Sequence, residues 1–262
     1  MATENIRYYI KDEAEAKCAY ETYVSPRADE DLYQELLYFP MQALSNACKQ
    51  GLIKGDTLID SSYGLSIYPL LTVYKCFKDI TILQLNDSLV EGTKKWLCKD
   101  PGALDWSHAC KIAAKLEGCS DNWEGMEDDL REHVTQILKC DLKEENPTDP
   151  VTLKKADCVI NLFLLGAISK DINEYSSYAK TIYSFLKPGG CLLLIGVFGG
   201  KYYEVNGERY NVLNFSKEDL NKIMTDVGFS AEQMEVFARK QSISYAFYEE
   251  VFYCRLIKPI EN

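Results

Sequence analysis

The sequence predicts an α/β fold in which helices cover both faces of a mainly parallel, doubly wound sheet. Apolar runs of strand length alternate with segments of helical periodicity. The runs are nearly continuous in apolar residues, as in strands buried on both faces. The first run, 57–60, ends at an acidic residue, and a turn of small residues follows it. Such turns bind nucleotides in doubly wound sheets, because backbone N–H groups point at the ligand from the start of a helix.

Strands and helices alternate along the chain until a final pair of strands. The predicted strands cover 57–60, 79–85, 136–142, 156–163, 191–195, 235–238 and 250–257. The predicted helices cover about 31–50, 65–77, 94–98, 126–138, 175–185 and 216–228. The pattern leaves open where the helix that starts at 126 gives way to the third strand.

Length and composition favour a single domain over residues 1–262. Of the 262 residues, 47% are hydrophobic and 12% aromatic, enough for one sizeable core. The net charge of −11 argues against a nucleic-acid partner, because binding to phosphates requires clustered Lys and Arg. The longest apolar run, Cys191 to Phe198, is shorter than the roughly 20 residues of a membrane span. We expect a monomer with no membrane or nucleic-acid partner.

The N-terminal segment and the cysteines indicate a cytosolic protein. Residues Met1 to Asn5 are polar and lack the apolar core of a secretory signal. The 10 cysteines are scattered without closely spaced pairs, so we expect reduced thiols. His108 and His133 are the 2 histidines, and no ligand spacing accompanies them, so we expect no metal.

The first fifty residues predict a helical cover at the carboxyl end of the sheet. Apolar residues recur at helical spacing over 31–50, and Pro40 interrupts them, so the helix should kink or restart there. Tyr20 and Tyr23 precede this helix. Such tyrosines serve either as walls of a ligand site or as aromatics that pack the segment down.

Local signals in the second half predict turns and a helix start. The Pro and Gly residues in 186–190 form a turn that ends one helix before the fifth strand. The Asn-Gly pair at 206–207, between β-prone runs, predicts a hairpin within an insert at 201–213. Ser216 and Asp219 have the spacing of a capping box and predict a helix that ends at Gly228.

The turn after the first strand has few glycines for a nucleotide site. Such turns usually carry several, because a Cβ obstructs both the tight turn and close approach to the ligand. Here Gly64 is preceded by Ser62 and Tyr63. The glycine pattern of dinucleotide-binding dehydrogenases is therefore absent, which argues against that class of enzyme.

Short sequence segments, in order and spacing, match one family over almost the whole length. The matching segments are 55–60, 67–71, 95–97, 101–107, 116–118, 139–141, 156–159 and 186–190. The chain resembles the small-molecule N-methyltransferases that include nicotinamide, indolethylamine and phenylethanolamine N-methyltransferases. The resemblance implies a class I methyltransferase sheet, seven-stranded with its last strand antiparallel. It also implies an N-terminal helical cover, 1–50, and a hairpin lid, 201–213.

The resemblance implies S-adenosylmethionine as the cofactor and assigns its positions one by one. Either Tyr20 or Tyr23 closes over the cofactor, and Asp141 with Leu142 holds the adenine edge. The implied cofactor-binding residues are Tyr20, Tyr23, Ser62, Tyr63, Gly64, Ser66, Tyr68, Gln84, Asn86, Asp141 and Leu142. The implied substrate-binding residues are Tyr203, Gly166 and Gly196. The resemblance assigns neither a catalytic residue nor a metal ligand.

Three cofactor positions depart from the family pattern. Ser62 occupies the position of the first glycine of the turn in the family pattern. Leu89 occupies the position of a polar residue near the amino acid part of the cofactor. Gln84 replaces an acidic residue that accepts from both ribose hydroxyls. An amide oxygen also accepts hydrogen bonds, but without the added strength of a charge. These departures predict weaker cofactor binding.

The substrate positions favour a flat acceptor over a charged amine. Amine-directed members carry acidic groups at two positions, which here are Gly166 and, after the fifth strand, either Gly196 or the pair Gly199 and Gly200. Tyr203 keeps an aromatic ring that stacks on the substrate. We therefore expect methyl transfer to a nitrogen of a small aromatic or heterocyclic acceptor. The alternative is a catalytically inactive member that keeps the fold and binds a ligand or a partner protein.

Overall fold

A computed structural model describes residues 7–119, 122–240 and 243–260. The strands are β1 (Thr57–Asp60), β2 (Asp79–Gln84), β3 (Val134–Lys139), β4 (Ala156–Leu162), β5 (Leu186–Phe198), β6 (Tyr202–Val205), β7 (Glu208–Asn211), β8 (Ser230–Ala238), β9 (Ala246–Phe247) and β10 (Glu250–Ile257). The helices are α1 (Glu13–Tyr23), α2 (Glu30–Tyr33), α3 (Phe39–Lys49), α4 (Asp87–Leu97), α5 (Ser107–Glu117), α6 (Met126–His133), α7 (Leu164–Ile168), α8 (Ile172–Phe185) and α9 (Lys217–Val227).

The main sheet has seven strands in the order β3-β2-β1-β4-β5-β10-β8. Strand β1 pairs in parallel with β2 and β4, and β5 pairs in parallel with β4. Strand β10 runs antiparallel to both β5 and β8. The strand order reverses between β1 and β4, so a ligand crevice is expected at their carboxyl ends. The predicted seven-stranded, doubly wound sheet with an antiparallel last strand is confirmed.

Helices cover both faces of the sheet because successive strand residues point to opposite sides. Leu58 and Leu193 are buried in one core, with residues of α3, α5 and α6. Their neighbours Ile59 and Leu192 are buried in a second core, with residues of α8 and α9. Among the described residues, no helix is long and apolar enough to cross a bilayer.

The predicted helix over 65–77 is wrong. The chain instead forms two short 3₁₀ turns, Leu70–Thr72 and Tyr74–Cys76. Pro69 lacks an N–H and disfavours the α conformation in the residue before it, which prevents a continuous helix. The backbone also leaves the helical region at Val73, which has φ −128°.

Other boundaries differ by a few residues. The helix that starts at 126 ends at His133, and β3 starts at 134 rather than 136. Strand β5 starts at Leu186, within the predicted turn. Leu186 and Cys191 both pair with β4, and residues 187–190 between them bulge out of the strand. The helix predicted over 31–50 is confirmed as α2 and α3, with a π-helical turn, Gln34–Tyr38, just before Pro40.

A second, three-stranded sheet, in the order β7-β6-β9, lies beside the N-terminal segment. The hairpin prediction is confirmed: Asn206 and Gly207 both have positive φ, at 52° and 76°. Arg7 forms a β-bridge to Tyr210, whose hydroxyl donates to the buried Glu15 of α1 at 2.7 Å. The hairpin and the N-terminal segment therefore form one joined cover. The capping box of Ser216 is also present, at the start of α9.

Candidate functional site

A cavity of about 140 Å³ lies at the carboxyl ends of β1, β4 and β5, beneath the cover. Aromatic rings form much of its wall, contributed by Tyr20, Tyr23, Tyr63, Tyr68, Trp106 and Tyr203. No charged side chain lines it among the described residues. An apolar cavity of about 150 Å³ is known to hold benzene. The cavity therefore has the size and lining for one small aromatic ring.

The turn after β1 follows the edge of β4 and accommodates its serine without strain. The N–H groups of Ser61 and Tyr63 donate to carbonyls of β4, each at 2.9 Å. Within 61–66, Gly64 is the residue with positive φ, at 63°. Ser62 therefore needs no glycine-like conformation, and its hydroxyl donates to Asp60 Oδ1 at 2.7 Å. The turn therefore accommodates Ser62 without a strained backbone conformation.

Asp60 is 1% exposed at the end of β1. Burial raises the pKa of its carboxyl to about 7, although the hydrogen bonds from Ser62 partly offset that rise. The carboxyl is thus partly protonated at neutral pH.

The cover touches the turn through a cluster of tyrosines. The backbone N–H of Gly64 donates to the Tyr9 hydroxyl at 3.1 Å. The Tyr63 hydroxyl donates to that of Tyr203 at 3.0 Å, and the Tyr9 and Tyr63 rings meet edge to face at 5.2 Å. The Tyr9 hydroxyl of the cover therefore occupies the Gly64 N–H, and a ligand that accepts from this N–H must displace Tyr9.

Tyr20 and Tyr23 both face the cavity with their rings and anchor the cover with their hydroxyls. Tyr20 donates to the Asp105 carbonyl at 2.6 Å. Tyr23 donates to the Glu204 carbonyl of β6 at 2.7 Å and accepts from the Glu204 N–H at 3.0 Å. Each tyrosine therefore lines the cavity and also packs the N-terminal segment down.

The implied cofactor residues fall into two groups. Tyr20, Tyr23, Tyr63, Gly64, Ser66 and Tyr68 line the cavity. Ser62, Gln84, Asn86, Asp141 and Leu142 lie outside its lining. Asp141 is exposed and its carboxylate accepts from the Lys143 N–H at 3.0 Å, whereas Leu142 is buried in the second core. Asn86 caps α4 by accepting from the Leu89 N–H at 2.9 Å.

Gln84 is 4% exposed at the end of β2 and offers an unpaired acceptor. Its Nε2 donates to the Gly64 carbonyl at 2.8 Å and to Thr93 Oγ1 at 3.1 Å. A carbonyl oxygen only accepts, so the contact with Gly64 fixes which end of the amide carries the nitrogen. The other atom, Oε1, has no partner among the described residues. Buried acceptors are rarely left unpaired, so this atom suits a hydroxyl of a ligand.

These contacts fit S-adenosylmethionine. Gln84 Oε1 would accept from a ribose hydroxyl, and Gly64 N–H would donate to the cofactor once Tyr9 moves away. Tyr9 belongs to the cover and not to the sheet, so its displacement leaves the strands intact.

The three implied substrate positions all line the cavity. A Cβ on Gly196 would lie 2.8 Å from the Phe252 ring, so packing requires glycine there. A Cβ on Gly166 would meet no atom within 4 Å. Tyr203 stacks on Tyr210 with centroids 5.2 Å apart, and it meets the Tyr63 and Tyr23 rings edge to face at 5.7 and 6.5 Å. Gly166 is therefore where the cavity has room for a larger side chain.

The sequence did not single out Asn161 and Phe163, which also line the cavity. Asn161 is fully buried, and its amide donates to the carbonyl and hydroxyl of Ser61 at 3.1 and 2.9 Å. Phe163 has a positive φ of 56°. An amide within an otherwise apolar strand was a usable signal for Asn161; no local pattern marked Phe163.

Tyr68→Phe is expected to destabilise the protein by about 1 to 2 kcal/mol. The Tyr68 hydroxyl donates at 2.7 Å to the Leu36 carbonyl. That carbonyl lies four residues before Pro40, and the proline has no N–H to donate to it. Urea denaturation measures the change. Tyr183→Phe, on α8, is the control, because its hydroxyl donates to no carbonyl in the described part of the chain. Equal stability of Tyr68→Phe and wild type would contradict the assigned role.

Comparison with known proteins identifies the family. Residues 6–258 match the model of the NNMT/PNMT/TEMT family. Indolethylamine N-methyltransferase of Oryctolagus cuniculus is 35% identical over 225 residues, with 86% of each chain covered. Nicotinamide N-methyltransferase of Homo sapiens is 33% identical, with 78% of this chain and 77% of that protein covered.

A solved S-adenosylmethionine-dependent methyltransferase from Clostridium acetobutylicum has the same fold. Its TM-score is 0.54 at 12% identity, with 85% of this chain and 92% of that chain covered. These matches confirm the resemblance to small-molecule N-methyltransferases and the expectation of S-adenosylmethionine as cofactor. On its sequence and its sheet topology, the chain belongs to the NNMT/PNMT/TEMT family.

Proposed function

We propose that the protein transfers a methyl group from S-adenosylmethionine to a nitrogen of a small, uncharged, aromatic or heterocyclic acceptor. One observation carries the choice of acceptor: the cavity beside the turn is walled by aromatic rings and has no charged lining among the described residues. A cationic amine would be desolvated there without an anionic partner, which is costly. A neutral ring nitrogen avoids that cost and keeps its lone pair free to react.

The residues of the cavity position the acceptor and exclude water. S-Adenosylmethionine, when bound, supplies a methyl group on a sulfonium, which is already an activated leaving group. The acceptor nitrogen needs no general base, because its lone pair is not protonated. Rings such as Tyr203 and Tyr23 hold the acceptor flat, and the cover closes the cavity against solvent. Alignment and water exclusion therefore supply the rate enhancement.

One contact supports the alternative of an inactive, ligand-binding member. The Tyr9 hydroxyl already accepts the N–H of Gly64, so the closed cover competes with the cofactor. A permanently closed cover would leave a protein that binds a small ring but transfers no methyl group.

Mass spectrometry of reaction mixtures tests the proposal. The protein is incubated with S-adenosylmethionine and with pyridines, quinolines, indoles or aliphatic amines. We expect products that carry one added methyl group from the pyridines and quinolines, whose ring nitrogen has a free lone pair, and none from the indoles or the aliphatic amines. Methylation of aliphatic amines alone would overturn the choice of acceptor, and no methylation despite cofactor binding would support the inactive alternative.

Tyr203→Ala is expected to raise KM for the acceptor about tenfold, with a smaller change in KM for the cofactor. An aromatic contact contributes roughly 0.5 to 1.5 kcal/mol beyond area burial, and truncation to alanine also removes the buried area of the ring. Steady-state kinetics with each substrate varied in turn measure the effect. Tyr183→Ala is the matched control, because Tyr183 packs on Phe229 outside the cavity. An unchanged acceptor KM in Tyr203→Ala would place the acceptor elsewhere.

Gly166→Asp is expected to admit amines to the cavity. A Cβ at this position meets nothing within 4 Å, and a carboxylate there would pair with an ammonium group. The fold should tolerate the change, which circular dichroism checks. The measurement is amine methylation or, independently of turnover, amine binding by calorimetry. Gly166→Asn, of similar size and without charge, is the control, and equal amine binding by both variants would contradict the charge argument.

We also propose that the protein acts as a monomer in the cytosol. All ten cysteines are free, as expected in a reducing compartment. Light scattering should give a mass near 29.9 kDa. A mass of twice that value would contradict the monomer.

A further inference from the structure

Two half-buried thiols face each other at the amino ends of the strands, away from the cavity. Cys48 lies near the end of α3, and Cys76 ends the second 3₁₀ turn, just before β2. Their sulfur atoms are 3.0 Å apart. A disulfide bond is about 2.05 Å long, so about 1 Å of approach would close it.

This pair differs from the other thiols in both geometry and access. Cys158 and Cys191 also face each other, at 3.6 Å, but they are 0% and 4% exposed within β4 and β5. Cys98, directly after α4, is exposed. Its sulfur contacts no other sulfur among the described residues. Cys48 and Cys76 combine partial exposure with a sulfur partner, which is what a small oxidant requires.

The electrostatics of the pair favour one reactive thiolate. The hydrogen bond between the sulfurs lowers the pKa of Cys76 to about 7, against the opposing effect of burial. The same bond raises the pKa of Cys48. A thiolate, not a thiol, is the nucleophile, so Cys76 is the attacking sulfur and Cys48 the resolving one.

We propose that Cys48 and Cys76 form a redox-active dithiol that a peroxide oxidises to a disulfide. The Cys76 thiolate attacks one oxygen of the peroxide, and the O–O bond breaks. The leaving hydroxide takes a proton from solvent, so a sulfenic acid and one water form. The Cys48 thiol then attacks the sulfenic sulfur and releases a second water. Two electrons leave the two sulfurs, and one hydrogen peroxide becomes two waters.

The disulfide would connect two segments that the fold already holds together. Cys48 belongs to the helical cover, and Cys76 to the segment that carries Tyr68, whose hydroxyl bonds the π-helical turn before α3. Oxidation therefore fixes the cover helix to the segment beside the cavity. Because a cross-link restricts the unfolded chain, we expect Tm to rise by about 5 °C or more, reversibly.

Peptide mapping of the full-length folded protein tests the proposal. The reduced protein is treated with stoichiometric hydrogen peroxide, free thiols are alkylated, and the digest is analysed without reduction. We expect a peptide that links Cys48 to Cys76, its loss on reduction, and alkylated Cys98, Cys158 and Cys191. In Cys48→Ser the Cys76 sulfenic acid should persist and react with dimedone.

Matched variants keep the test independent of folding defects. Cys98→Ser should form the same disulfide at the same rate and show the same rise in Tm. Cys48→Ser and Cys76→Ser should show no rise, whatever their starting Tm. Oxidation first at Cys98, or full alkylation of Cys48 and Cys76 after peroxide treatment, would overturn the proposal. None of these readouts depends on methyl transfer.

Discussion

Gln84→Glu is expected to destabilise the protein by about 3 to 5 kcal/mol, the loss typical of an uncompensated buried charge. Gln84 is 4% exposed and donates to the Gly64 carbonyl at 2.8 Å. A carboxylate there cannot donate and would face that carbonyl oxygen instead. The change restores the acidic residue that the family pattern places here, so it should cost stability but strengthen cofactor binding through a charged acceptor for the ribose hydroxyls. Chemical denaturation measures the first effect, and calorimetry the second.

Gln84→Met separates charge from hydrogen bonding. Methionine has a similar length, buries no charge and removes the unpaired Oε1, so it should cost less stability than glutamate. It should still weaken binding of S-adenosylmethionine, because the acceptor for the ribose is gone. Unchanged cofactor binding by Gln84→Met would contradict the position assigned to Gln84.

Asp60→Asn is expected to stabilise the protein by about 2 to 4 kcal/mol above pH 7. Burial raises the pKa of Asp60 from 3.8 to about 7, so the folded state binds this proton more tightly than the unfolded chain. The free energy of unfolding should therefore fall as pH rises from about 4 to about 7, and level off above it. Asparagine keeps an acceptor for the Ser62 hydroxyl and has no proton to lose. The fall in the free energy of unfolding that Asp60 causes between about pH 4 and about pH 7 should therefore vanish.

Urea denaturation between pH 4 and 8 measures the slope for both proteins. Asp56→Asn is the control, because Asp56 precedes the same strand but is exposed. It should keep the wild-type slope. A wild-type slope in Asp60→Asn would show that Asp60 is ionised in the folded protein throughout this range.

The sheet was predictable because its strands are encoded locally. Continuous apolar runs such as 191–195 lie where the structure has β5, and the Asn-Gly pair at 206–207 forms the predicted hairpin turn. The failure over 65–77 has a local cause as well. A continuous helix was predicted there, whereas Pro69 prevents one in the fold.

The site depends on contacts that are distant in sequence, and local patterns say little about them. That Tyr9 would take the N–H of Gly64 follows from how the cover folds back over the sheet. The residue type at Gln84 suggested a weakened ribose contact, but only the fold shows its nitrogen directed at Gly64 and its oxygen left unpaired. The sequence also left open the backbone conformation of Ser62, and the fold shows that it is not one that requires glycine.

Calorimetric titration with S-adenosylmethionine and S-adenosylhomocysteine tests the central claim most directly. Protein concentrations high enough to detect millimolar affinity are required, because the cover competes for Gly64. We predict binding of both ligands, tighter in Tyr9→Phe, which keeps the ring and removes the hydroxyl that occupies the Gly64 N–H. No heat and no thermal shift with either ligand, in wild type and in Tyr9→Phe, would contradict a cofactor-dependent methyltransferase.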